Sequence, residues 1–178
     1  MSLNLTLILL TMLKALATVT ISVDHYCDRW WIGIGWAACV ELDRGIIHIN
    51  AGFVHIFDEY QWTKIVIHEL AHLKYCGYDE SCARKLTRLI DVYCFWSPWR
   101  CGLAVEYYCK VYGKVAETLR KNTYIDAYLE CMDNAYFRVL SKLLYGPVKD
   151  IHEMEMLVAL AEYIAWSKIH EIVEYYND

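Results

Sequence analysis

From Thr18 to Val23 apolar and polar residues alternate, with Val19, Ile21 and Val23 set against Thr18, Thr20 and Ser22. A period of two predicts a half-buried strand. The stretch before it, Leu3 to Ala17, is almost wholly apolar and predicts a helix backing a sheet. Trp30 to Leu42 predicts a second strand region, loosened at Gly33 and Gly35, where a bulge or a close approach is expected. Asp43-Arg44-Gly45 predicts a three-residue hairpin turn with the glycine left-handed. Gly45 to Asn50 is then the return strand, followed by a loop at Ala51-Gly52.

The period changes after Phe57. Asp58 with Gln61 three residues on forms a capping box, and Phe57 with Trp62 forms the hydrophobic staple that goes with it. Trp62, Val66, Leu70 and Leu73 share one side of the helix so defined, and Gly77 is its stop. Residues 78–86 open a further helix running to about Phe95, with Asp79 as its N-cap. From Ser97-Pro98 onward helical spacing covers about 99–120, 123–145 and 148–176, with breaks near Asn122 and at Gly146-Pro147. The chain therefore reads as α+β: residues 1–95 carry a small three-stranded sheet and three helices, and 96–178 a helical extension packed on them as one compact domain.

Composition narrows the function classes. The 178 residues are 57% hydrophobic and 22% charged, which places the chain among globular proteins. A net charge of −5 without a long basic run argues against a nucleic-acid partner. Ala15-Leu16-Ala17 is similar to a signal-peptidase site, but residues 1–4 carry no Lys or Arg and Lys14 interrupts the apolar run. That run is also short of the roughly 20 residues of a membrane span. Membrane association is thus not favoured, and a cytoplasmic protein is expected. The eight cysteines contain no Cys-x-x-Cys pair, so a cysteine-only zinc site is not expected. Cys94 and Cys101 are spaced to close a short loop, and reduced buried thiols are an equal alternative for the whole set.

The chemistry concentrates at His68-Glu69-Leu70-Ala71-His72, an H-E-x-x-H motif within the capped helix. Two histidines four apart leave the same face of a helix and converge on one ion. Glu69 follows the first of them directly and is placed to serve as a general base without ligating. His48 and His55 lie upstream; a strand-face position suits His48 better than ligation, and both are secondary candidates for substrate contact.

The strand 46–50 followed by the helix carrying His68-Glu69-Leu70-Ala71-His72-Leu73-Lys74 resembles the catalytic core of HExxH zinc metallopeptidases, the zincins, over about residues 18–95. The nearest types are minimal gluzincin-like peptidases and the SprT and YgjP-like group. The resemblance implies a zincin-like core of backing helix, small sheet and active-site helix, a strand beside that helix that pairs with extended substrate, and Zn2+ as cofactor. It further implies a peptide or protein substrate, His68 and His72 as metal ligands, and a zinc-bound water deprotonated by Glu69. A third histidine six residues after the second would mark the SprT-like group, and Tyr78 stands there instead. The gluzincin pattern, a glutamate on the next helix with a small residue three further on, matches Glu80 and Ala83, although the interval from His72 is short. Asp79, Tyr78, Glu106, Glu117, Glu130 and Glu162 remain alternatives for the third ligand. Tyr75, Tyr78 or a tyrosine from the C-terminal helices would supply the oxyanion donor. An inactive or latent zincin-fold binding module is the rival reading, with a thiol such as Cys82 blocking the fourth zinc position in the latent form. Oligomeric state is not encoded in any motif.

Overall fold

A computed structural model describes residues 4–30, 36–93 and 97–178. The fold is α+β, as the pattern predicts. Helix α1, Leu5–Leu16, is capped by Asn4, whose side chain accepts from the Leu7 amide. It buries Leu5, Ile8, Leu9, Met12 and Leu16. The helix expected to back the sheet instead packs mainly on α4, Pro98–Thr118, and to a lesser extent on α3, Glu80–Tyr93.

The sheet has the order β1-β3-β2, from strands β1 (Thr20–Asp24), β2 (Ala38–Glu41) and β3 (Ile46–Asn50). β1 runs parallel to β3, with Ser22 opposite His48, and β2 runs antiparallel to it, with Cys39 opposite His48. Alternation along β3 sends Ile47 and Ile49 into the core and His48 and Asn50 to the other face. The turn after β2 has four residues between the paired Glu41 and Ile46, one more than predicted. Gly45 takes a φ of +66° there, the conformation that turn asks of glycine.

The predicted second strand shortens to Ala38–Glu41. Residues 26–30 form a 3₁₀ turn, because the Asp24 carboxylate accepts the Tyr26 amide and starts the reversal directly after β1. A disulfide from Cys27 to Cys39 then clamps this turn over the outer face of the sheet. Tyr26 stacks on His48 with ring centres 4.1 Å apart. The bulge expected at Gly33 and Gly35 lies outside the described residues.

Helix α2, Glu59–Ala71, starts as its sequence dictates. Asp58 accepts the Gln61 amide at 2.8 Å, Gln61 accepts the Asp58 amide at 3.0 Å, and Phe57 meets Trp62 edge-on at 5.2 Å. Trp62 is fully buried and its indole N–H donates to the Val54 carbonyl. Trp62→Ala should therefore cost about 3–5 kcal/mol, the usual range for emptying a large aromatic site. Urea unfolding followed by circular dichroism measures it, and a loss below about 1 kcal/mol would contradict the packing described.

The helical half comprises α4, α5 (Tyr124–Tyr145) and α6 (Ile151–Asn177). Leu103, Ala104, Tyr107, Val111 and Val115 of α4 belong to the same buried core as α1, α2, α3 and the sheet. That core runs across the boundary drawn at residue 95. The other side of α4 packs with α5 and α6 in a second cluster and is tied to α5 by a Cys109–Cys131 disulfide. Gly102 keeps the helices close, since a Cβ there would run into the ring of Tyr163 on α6. The proposed pairing of Cys94 with Cys101 lies outside the described residues. Among the described residues no helix is long and apolar enough to cross a membrane.

Candidate metal centre

The α2 geometry puts His68 and His72 on one face, with ring centres 4.8 Å apart. After Ala71 the helix widens into a π turn, His72–Cys76, and ends at Gly77 with φ +54°. The chain reverses there, Asp79 accepts the Cys82 amide at 3.0 Å, and α3 begins at Glu80. A disulfide between Cys76 and Cys82 closes this reversal. The widened turn, the left-handed glycine and the disulfide together return the chain within eight residues. A spacing that looks too short in sequence thus brings Glu80 back over His72.

Three electron-pair donors meet at this point. Nε2 of His72 lies 3.2 Å from Nε2 of His68 and 3.1 Å from Oε2 of Glu80, and Nε2 of His68 lies 3.3 Å from the same carboxylate. Nδ1 of His72 is 2.7 Å from the Gly77 carbonyl, which only accepts. That nitrogen therefore carries the proton, and in the neutral ring Nε2 presents a lone pair. A tetrahedral ion with bonds of about 2.0–2.1 Å sets its ligand atoms roughly 3.3–3.4 Å apart. The three separations are close to that edge length, so the residues fit a zinc ion without rearrangement.

Glu80 is held from its other side by Arg84, whose Nε donates to Oε1 at 2.8 Å. Burial works to raise the Glu80 carboxyl, but Arg84 and the two histidines outweigh it and hold the group below its ordinary value. Glu69 behaves oppositely: burial raises its carboxyl to about 7, with His72 opposing and Glu80 adding to the rise. A carboxyl that titrates near neutrality can both take up and release a proton at physiological pH. Glu69, His68, His72, Glu80 and Tyr78 line a cleft of about 490 Å³ whose opposite wall is residues 36–40. β2 is the outermost strand on that side of the sheet, so the strand bordering the cleft is β2 and the 46–50 strand lies at the centre.

The other candidates fall elsewhere. Among the described residues the only group of three or more potential ligands is His68, His72 and Glu80. Asp79 caps α3, and Glu106 accepts from the Tyr163 hydroxyl. Glu117, Glu130 and Glu162 are exposed on α4, α5 and α6. Cys82 is consumed by its disulfide, so it offers no thiolate to block the metal position. Tyr78 lines the cleft, whereas Tyr75 does not. His48 is buried on the far face of the sheet, where Nδ1 contacts Asp24 and Ser22 and Nε2 contacts Glu41; it is a strand-face residue and does not line the cleft. His55 is exposed and lies outside the cleft. Arg84 was not evident from the sequence, though its i+4 spacing from Glu80 on a helix is the signal that finds it. No known protein family, no curated protein and no solved structure matches the chain.

Proposed function

We propose that the chain is a zinc-dependent metallopeptidase, with His68, His72 and Glu80 holding the ion and Glu69 as general base. The convergence of three ligand atoms at tetrahedral spacing beside a buried carboxylate carries this reading. When bound, zinc lowers the pKa of water and polarises a carbonyl oxygen. Glu69 takes a proton from the attacking water and returns it to the departing amine. Tyr78 lines the cleft, and the role of donor to the developing oxyanion is assigned to it on that ground.

The cleft favours an extended peptide. β2 borders it as an edge strand, and an edge strand offers main-chain donors and acceptors to a segment laid alongside. A mixed sheet with such an edge, an H-E-x-x-H helix and a glutamate on the next helix is similar to a gluzincin-type zincin core. The interval from His72 to Glu80 sets this chain apart as a compressed version. Three disulfides suit an oxidising compartment or the cytosol of a hyperthermophile, so a cytoplasmic location is retained only for the latter.

Metal content tests the reading. Purified wild type is expected to hold one zinc per chain by mass spectrometry, and His72→Ala none. A wild type that stays metal-free after zinc supplementation would instead mean that the cluster is a salt-bridged pair of histidines. The binding-module reading would then replace the enzyme.

A further inference from the structure

We propose that a cavity between α2, α3, α4 and α5 is a second binding site, and that it takes a medium-chain fatty carboxylate. The cavity measures about 470 Å³, within the roughly 300–1,000 Å³ of small-molecule sites. Tyr60, Lys64 and Ile67 contribute one stripe of α2 to its wall. The cleft at the metal centre uses Ile65, His68, Glu69 and His72 instead, and the two spaces share no lining residue. The lining is graded from inside to outside. Ile67, Ile90 and Ala104 are buried in its interior. Two of its lining residues are exposed, Lys64 and Arg138, and both are cations. Among the described residues neither has an ion pair, and no Asp or Glu lines the cavity, although the chain carries a net charge of −5.

Charge and polarity identify the occupant. An anionic head at the rim meets two unpaired cations while its apolar chain leaves water for the interior. A cationic amphiphile meets like charge at the same rim, and a neutral one leaves both cations unused. Cross-links between the walls hold the space open. Cys109 and Cys131 both line it, and their disulfide ties α4 to α5. The Asn134 amide donates to the Tyr60 hydroxyl at 3.0 Å, tying α5 to α2, and the Tyr108 hydroxyl donates to the Tyr60 carbonyl at 3.4 Å, tying α4 to α2. Protein interiors leave few voids larger than a water molecule, and apolar walls give water few partners. A braced cavity with an apolar floor and a cationic rim is therefore organised for a ligand of the opposite pattern.

Calorimetric titration of the full chain with decanoate, below its micelle concentration, is expected to show one site per chain. Decanol should bind more weakly and decylamine more weakly still. The double variant Lys64→Ser, Arg138→Ser should lose about 10-fold in decanoate affinity and leave decanol unaffected. Both positions are exposed, so its far-ultraviolet circular dichroism should match the wild type. Ala135→Phe, which fills the cavity from α5, should abolish binding of decanoate and decanol alike. Four results would each overturn the proposal: no decanoate binding at millimolar concentration, decylamine binding as tightly as decanoate, a Lys64 and Arg138 double variant with wild-type affinity, or a folded Ala135→Phe chain that still binds. None of these readouts involves the metal centre, so they stand or fall apart from the peptidase reading.

Discussion

Replacing Glu69 with Gln is expected to lower kcat/KM for an extended peptide by about 10²–10⁴-fold, or about 3–5 kcal/mol of transition-state stabilisation, with zinc retained. The side chain keeps its size and loses only its capacity to accept a proton. Glu69 stands outside the proposed ligand triad of His68, His72 and Glu80, so metal stoichiometry should not move. The site also favours the variant structurally, since burial already drives the Glu69 carboxyl towards its neutral form. Hydrolysis of a fluorogenic peptide, read beside metal content on the same preparation, checks both halves. A variant that cleaves at the wild-type rate would remove Glu69 from the mechanism. A variant that loses zinc would make it a ligand.

Removing the Cys76–Cys82 disulfide by paired substitution with serine should weaken zinc binding by about 10–100-fold, as changes in the support of a metal ligand commonly do. The six-residue separation of these cysteines encloses Gly77 and Glu80, so the bridge constrains the carbonyl that orients His72 as well as the proposed third ligand. On loop entropy the bridge contributes about 2 kcal/mol to stability. Because the constrained segment is the site itself, much of that contribution should appear as metal affinity. Competition with a chelator measures it, and Cys27→Ser with Cys39→Ser is the control, since that bridge clamps the outer face of the sheet. An affinity unchanged by the Cys76 and Cys82 substitutions would mean that Asp79 and Arg84 hold Glu80 unaided.

Local signals carried far in this sequence where the physics is local. The capping box at Asp58, the staple of Phe57 on Trp62 and the four-residue step from His68 to His72 all act within one or two helical turns, and each forms as the residues specify. Glu80 joins the histidines as the gluzincin pattern suggests, but the reason it reaches them was not legible. A π turn is one extra residue in a helix and leaves no mark in the hydrophobic period. Disulfide partners are chosen by folded geometry, so the Cys76–Cys82 bridge has no signature in spacing. Strand order was not legible for the same reason: pairing of β1 with β3 is a long-range contact, and nothing in 18–50 places Ala38–Glu41 at the edge. Helix α4 is apolar on most of its surface, which reads equally well as an appendage or as the centre of the fold.

The position of α4 has a consequence for biosynthesis. Residues 1–93 contain every proposed ligand and the whole sheet, yet Leu103, Tyr107, Val111 and Val115 fill the core beneath them. During translation the half that carries the proposed metal site leaves the ribosome first and waits uncovered. At about 5–20 residues per second, synthesis through Thr118 takes roughly 1–5 s more. For that interval α1 presents Leu9 and Met12 without its main neighbour. The nascent chain should therefore be a client for a holdase or for an early-acting chaperone until α4 emerges and docks.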